Sequence, residues 1–501
     1  MNKIINKSIC SFLFFLLLVT GNNPLKAQAT NNDTKAPQQS VAGHVWCNHT
    51  GISGVVVTDG TNFTVTNGKG FYTLPPNPAS THVYISSPAG YTVPVENSVA
   101  MFWVKLNREA NTKNNVDFRL TKLADKETNH YFIAVGDPQV SNRADLEKLK
   151  PILANIKAKI AGLPSKNVPL LVAGDIVFDT PQMHTMSKQY FSKVEQPVYY
   201  CIGNHDHVYS KKDSATLDND LTADSVYIRH YGPTHYSFNR GEVHYVVLDD
   251  IRYKGGPKPE YTTEFAQEQL DWLKKDLSYV PKEKALVLLF HAPSKTRFKA
   301  RIGNNTELYK LLQGYANVQT ICGHTHYNSV VADDGSGITE HILGTACGSF
   351  WESPVGLDGC PLGYKVFEVN GTKFKWRYID YTDKQKLFTV YKPGERSPAL
   401  PPAEELLVNV WDWDPAWEVA YSEDGEKTFK PMTRIKSTYD PTAYEFIGLK
   451  GERKVPSRSW LGSSATDHIF FCVPSAATTE MVIKVTTRFG EVSTRHVDLR
   501  K

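Results

Sequence analysis

From Tyr131 onward the chain alternates short apolar runs with longer stretches in which apolar residues recur every three or four positions. The runs are 131–135, 168–173, 197–202, 243–248, 285–290 and 318–322. Their length and composition predict buried strands. Between them, Leu146, Leu149, Leu153, Ile156 and Ile160 predict an amphipathic helix that Pro151 should bend or delay. Met183, Met186, Tyr190 and Val194 predict a second helix, and Phe265, Trp272, Leu273 and Leu277 a third. Strands alternating with helices predict an α/β domain whose strands are largely buried.

The flanks have a different pattern. Residues 42–123 read as short strands set off by turn signals at Asp59-Gly60, Asn67-Gly68 and Pro75-Pro76. That spacing predicts a small β-sandwich. Residues 51–74 resemble the carboxypeptidase-regulatory, transthyretin-like modules of exported bacterial proteins. His44 and His49 are expected to be surface or packing histidines. Residues 384–402, with Pro393-Gly394 and a proline cluster at 398–402, predict a linker. From 403 to 501, alternating runs at 408–411, 416–421 and 480–485 and a turn at Asp424-Gly425 predict a second β domain.

Composition narrows this only a little. A chain of 501 residues has room for several domains, and 41% hydrophobic with 22% charged residues is ordinary for a globular protein. A net charge of +4 gives no reason to expect a nucleic acid or an anionic membrane as partner. The N-terminus is more informative. Lys3 and Lys7 precede an apolar stretch at 10–20 and then Leu25-Lys26-Ala27, which predicts a signal peptide over 1–27. The rival, an uncleaved anchor, lacks the ~20 apolar residues of a bilayer span. Residues 28–41 are polar and read as a flexible leader. The protein is therefore expected to be exported, to the periplasm or beyond, without a transmembrane segment. Export permits disulfides, and Cys347 and Cys360, which flank a glycine-rich loop, are candidates for one.

The candidate chemistry lies where the central strands end. There the chain places Asp137 with Gln139, then Asp175, then Asn204, His205 and Asp206, then His291, then His324 with His326. Singly each has a bland reading: an acid after glycine is an ordinary loop carboxylate, and a histidine after an apolar run is an ordinary edge residue. Together they form a mixed oxygen and nitrogen ligand set with no cysteine, suited to borderline-to-hard divalent metals. The set is too large for one tetrahedral ion and fits two ions sharing a carboxylate.

The order Asp137-x-Gln139, Gly174-Asp175, Gly203-Asn204-His205-Asp206, His291, Gly323-His324-Thr325-His326 resembles the calcineurin-like metallophosphoesterases. The resemblance covers about 128–384 and implies a four-layer αββα core, an α/β domain with helices outside two packed sheets. Residues 231–238 and 409–414 resemble a bacterial subgroup in which all-β, sandwich-like domains flank that core. By resemblance, Asp137, Gln139, Asp175 and His326 hold one ion. Asp175, Asn204, His291 and His324 hold the other, with Asp175 bridging. Gln139 stands where the commonest motif has histidine. An amide oxygen is a harder, weaker donor, which tilts the first ion toward Mn or Fe over Zn.

The implied reaction is hydrolysis of a phosphate mono- or diester by a hydroxide bridging the two ions. His205 is the candidate proton donor to the leaving oxygen, and Asp206 the group expected to hold its other ring nitrogen. His207 and Asp249 are weaker candidates for facing substrate. Residues 344–352 are either a pocket wall or a surface loop. Trp411, Trp413 and Trp417 are either core or an aromatic platform for carbohydrate. The rival function is a non-catalytic envelope- or glycan-binding protein built on a degenerate phosphoesterase domain.

Overall fold

A computed structural model describes residues 40–109, 114–124, 127–209, 219–255, 260–295, 304–382, 386–395, 404–452, 454–455 and 458–500. The expected signal peptide, nearly all of the leader and much of the expected linker lie outside the described residues.

The central strands bury both faces, and their alternate residues go to two different cores. In Asn129–Val135, Phe132 and Ala134 face one apolar cluster while Ile133 and Val135 face another. Leu171 and Ala173 against Leu170 and Val172, and Tyr199 and Cys201 against Val198 and Tyr200, divide in the same way. This period of two explains why the runs read as continuously apolar. The second cluster lies under the helices Arg143–Ala161 and His184–Phe191. The first fills the space toward a second sheet, which Gln267–Leu277 and Asn305–Leu312 cover. The result is the four-layer αββα arrangement.

One sheet runs Lys373–Asp380, Gly363–Asn370, Asn129–Val135, Leu170–Val172, Val198–Tyr200, Val99–Ala100, Val95–Glu96. The other runs Tyr236–Arg240, Val243–Val247, Ala285–Leu289, Asn317–Cys322, Ile338–Ile342, Ser329–Val331. Three site-bearing strands are parallel neighbours in the first sheet, and two are parallel neighbours in the second. Their carboxyl ends therefore share one rim of the sandwich.

The helix Arg143–Ala161 continues through Pro151 instead of being delayed by it. Asn142 caps it by accepting from the amides of Ala144 and Asp145. A proline inside a helix costs roughly 3 kcal/mol. Burial of Leu146, Leu149, Ile152, Leu153, Ile156 and Ile160 offsets that, at about 1.5–3 kcal/mol for each side chain.

The flanks are all-β. In the N-terminal region Val56–Thr58 pairs antiparallel with Phe63–Val65, and the turn is held by Asp59 Oδ1 accepting from the amides of Thr61 and Asn62. The region does not stop at its own sheets. Val99 lies parallel to Val198, so the Val95–Ala100 hairpin extends the central sheet. The C-terminal region packs two four-stranded sheets around Leu406, Val408, Val419, Ile483 and Val485. Trp411 and Trp417 are buried, and Trp413 lies under the Arg434 guanidinium at 4.4 Å. These tryptophans are packing groups, not an open platform.

Candidate metal centre

Five of the seven ligand-type residues sit in the left-handed backbone region: Asp137 (φ 40°), Gln139 (40°), Asp175 (47°), His324 (66°) and His326 (58°). For non-glycine residues this costs on the order of 1–3 kcal/mol each and persists where surrounding structure enforces it. Each strand turns sharply as it ends and throws its side chain into the rim. Space is equally tight. A Cβ on Gly203 would come within 2.3 Å of Asp175 Oδ1, and one on Gly323 within 2.2 Å of Asp137 Oδ2.

Two groups of metal-competent atoms result, Asp175 with His291 and His324, and Asp137 with Asp175 and His326. Asp175 belongs to both. In the first group His291 Nε2 and His324 Nδ1 stand 3.2 Å apart, and Asn204 Oδ1 lies 3.1 and 2.9 Å from them. Asp175 Oδ1 is 3.3 Å from His291 Nε2. His291 Nδ1 donates to the Ala173 carbonyl at 2.8 Å, leaving Nε2 to face the group. Such an outer hydrogen bond is how metal-binding histidines are oriented. In the second group His326 Nε2 is 3.6 Å from Asp137 Oδ1.

Gln139 is beside these atoms, but its amide nitrogen donates to Asp175 Oδ2 at 2.7 Å, while Oε1 faces Cys347 Sγ at 3.7 Å. The amide nitrogen, not the oxygen expected to ligate, therefore faces Asp175, and Gln139 would have to flip its amide to offer oxygen to an ion.

The charges fit a cation. Burial pushes Asp137 up to about 8. Burial would raise Asp175 too, but His291 and His205 reverse this and hold it well below the usual carboxylate range. Burial alone would lower His291, yet Asp175 raises it to about 10. The proton on His291 answers the same pull from the carboxylates as a metal ion would, and an ion would have to displace it to ligate Nε2. Burial lowers His324 and His326 to about 3, so both imidazoles are neutral with lone pairs available, the form that ligates metal. The residues present fit two divalent ions.

Two expectations are corrected. Asp206 does not hold His205. It is fully buried and accepts from the amides of Ile176, Val177 and Gly203, so it ties the loop after Asp175 to the loop after Gly203. The partner of His205 Nδ1 is Asp179 Oδ1 at 2.9 Å. Burial would lower His205, but Asp175 and Asp179 override it and hold the ring above its usual value.

His207 and Asp249 stand apart from the two groups that share Asp175, and His207 forms a separate group of metal-competent atoms with Asp220 and Asp224. His207 Nδ1 donates to the Gly203 carbonyl, and its Nε2 lies 3.0 Å from Asp224 Oδ1. Asp249 lines a separate cavity of about 530 Å³ with Asp220, Asp224 and N-terminal residues such as Asp59 and Tyr84. Cys347 and Cys360 are free thiols: one meets Gln139, the other Asp358 at 3.4 Å.

Sequence reading missed the aromatic surround. Phe178 packs on His205 (4.3 Å between ring centres) and Phe350 on His326 (4.4 Å). The C-terminal region adds Arg458 over both phenyl rings and Trp460 edge-to-face against Phe350. Phe350 lies in the glycine-rich loop 344–352, which therefore does wall the centre. Asp179, four residues beyond Asp175, was the one signal within local reach.

A four-layer sandwich with carboxylates, amides and imidazoles on one rim defines the class as an αββα fold with a candidate metal centre. Comparison with known families agrees. Residues 130–328 match the calcineurin-like phosphoesterase model, 39–123 the model for the N terminal of calcineurin-like phosphoesterase, and 340–492 that for its C terminal. The chain belongs to the calcineurin-like phosphoesterases.

A 3',5'-cyclic-nucleotide phosphodiesterase of Nostoc sp. is 25% identical over 167 residues, which are 31% of this chain. The match spans about half of that relative's length, 55%. Among solved structures, the GAP50 anchor of the Plasmodium inner membrane complex gives a TM-score of 0.35 at 12% identity, over 51% of this chain and 86% of that one. TT1561 of Thermus thermophilus gives 0.28 at 14%, over 50% and 98%. Likeness at this level says nothing of function.

Proposed function

We propose that the protein is a binuclear metal-dependent phosphodiesterase. The observation that carries this is the sharing of Asp175 between two groups of metal-competent atoms, one with Asp137 and His326, the other with His291 and His324. Asn204 and Gln139 complete the two sets. Two divalent ions held there would acidify a water and neutralise the charged oxygens of the phosphate.

The chain's own residues supply the rest. Asp206 and the backbone amides it binds lock Asp175 and Asn204 in register. His205 is 24% exposed at the side chain and opens to the mouth of the site. Asp179 accepts from Nδ1 and orients the ring, which leaves Nε2 to give a proton to the departing alcohol. Asp175 and Asp179 favour the protonated ring that this step needs.

The amide at Gln139 favours Mn or Fe over Zn in the first site. A diester substrate is supported by the Nostoc relative, a 3',5'-cyclic-nucleotide phosphodiesterase. Action outside the cytoplasm rests on the N-terminal sequence alone. Among the described residues no helix is long and apolar enough to cross a membrane.

The test is a panel of phosphomonoesters and phosphodiesters with purified protein and added Mn²⁺. Turnover of diesters, well above that of monoesters, is expected. Preference for monoesters would overturn the diesterase assignment, and no turnover of either class would overturn the enzyme reading.

A further inference from the structure

The C-terminal domain reaches the mouth of the metal centre. Arg458 places its guanidinium 4.8 Å from the ring centre of Phe178 and 5.1 Å from that of Phe350. These are the two phenyl rings that touch His205 and His326. Trp460 meets Phe350 edge to face at 4.9 Å and remains 50% exposed. Across the centre, Tyr261 on the Ile251–Lys254/Glu260–Thr263 hairpin stands edge-on to His324 at 6.3 Å and is 38% exposed.

Arg458 is badly placed for a purely structural cation. Its side chain is only 15% exposed, and Nε is buried with no hydrogen-bond partner. Its ion-pair partner, Glu352 Oε1, lies 3.8 Å from Nε, a loose pairing beyond hydrogen-bond reach, and that carboxylate is itself 39% exposed. A desolvated guanidinium on two phenyl faces keeps its charge and its planar donors for an incoming anion. An exposed indole beside it offers a flat apolar face next to that anion.

We propose that the C-terminal domain completes the substrate site, with Arg458 pairing with the charged oxygens of the phosphoester and Trp460 stacking on an aromatic ring carried by the substrate's alcohol. The substrate class is thereby narrowed to phosphoesters of ring-bearing alcohols such as nucleosides. The inference rests on the phosphoesterase reading above.

The test compares two strained cyclic phosphodiesters of equal ring size, a nucleoside cyclic phosphate and glycerol cyclic phosphate, on the Mn²⁺-loaded full chain. Wild-type protein is expected to prefer the nucleoside ester. Trp460→Ala, at an exposed position, should raise KM for the nucleoside ester about tenfold and leave the glycerol ester unchanged. Arg458→Gln should lower kcat/KM for both esters by roughly tenfold to a hundredfold, with partial rescue by Arg458→Lys. If Arg458 is only a strut, Arg458→Gln lowers the melting temperature and leaves both KM values alone. That result, or a substrate preference untouched by Trp460→Ala, overturns the inference while the phosphoesterase reading stands. Hydrolysis of neither ester by wild-type protein that does turn over bis-p-nitrophenyl phosphate also overturns the inference and leaves the phosphoesterase reading standing, whereas loss of all three activities overturns both.

Discussion

His205 and Asp179 stand 2.9 Å apart on two different loops, and Asp206, the immediate neighbour of His205 in sequence, is turned away into the protein. The two acids should therefore fail differently. His205→Asn is expected to cut turnover by roughly 10²–10⁴ with metal content intact. Asp179→Asn should lower turnover less, also without loss of metal. Asp206→Ala should instead destabilise the loops, because buried amides lose their acceptor at roughly 1–3 kcal/mol each. Steady-state kinetics beside thermal melting separates these outcomes.

A second residue-scale effect concerns His207. Burial alone would lower its pKa, but Asp224 reverses that and raises it to about 10. A group raised on folding stabilises fully below its unfolded value, near 6.5, and loses that contribution as pH rises toward 10. Unfolding free energy measured in denaturant should fall across this window, and His207→Gln should flatten the slope. A slope unchanged in His207→Gln would assign the loss to other groups. The ligand types were legible in the sequence because each follows a strand. The pairings of Asp179 and His207 were not, since hydrogen bonds between loops leave no periodic trace.

At the scale of elements, the strand runs were legible because both faces are buried and the apolar residues run unbroken. The same continuity hid which sheet each strand joins. The pattern alone gave an α/β domain, and only the family resemblance gave two packed sheets. The turns after the strands carry the centre's geometry, and Gly203 tests this. Gly203→Ala would press a methyl within 2.2 Å of the Asp175 amide and 2.3 Å of its carboxylate. The expected result is a protein that still folds by circular dichroism but has lost bound metal. Unchanged metal content would mean that the loop relaxes and the close approach is not required.

In the whole molecule, the flanking domains are built into the core rather than strung beside it. The hairpin at Val95–Ala100 extends the central sheet, and domain limits drawn from composition cannot show that, because an apolar strand does not announce its partner. The segment Asn409-Val410-Trp411-Asp412-Trp413-Asp414 fastens the C-terminal domain. Lys365 Nζ meets Asp412 Oδ1 at 2.6 Å in full burial, Arg488 grips Asp414, and Asn328 donates to the Trp411 carbonyl. Asp412→Ala should destabilise the protein by about 3–5 kcal/mol, since it strands a buried lysine charge. Replacing both partners, Lys365→Met with Asp412→Leu, should recover most of that in chemical denaturation. If the double variant is no better than the single one, the pair contributes through something other than its charge.

The central claim is that one carboxylate, Asp175, serves two metal ions. Metal analysis of Mn²⁺-loaded protein tests it most directly, with Asp175→Asn beside the wild type. Two ions per chain are expected in the wild type, together with hydrolysis of bis-p-nitrophenyl phosphate, and loss of both ions from the variant. A wild-type content below one ion per chain without hydrolysis, or a variant that keeps its full complement, would contradict the claim.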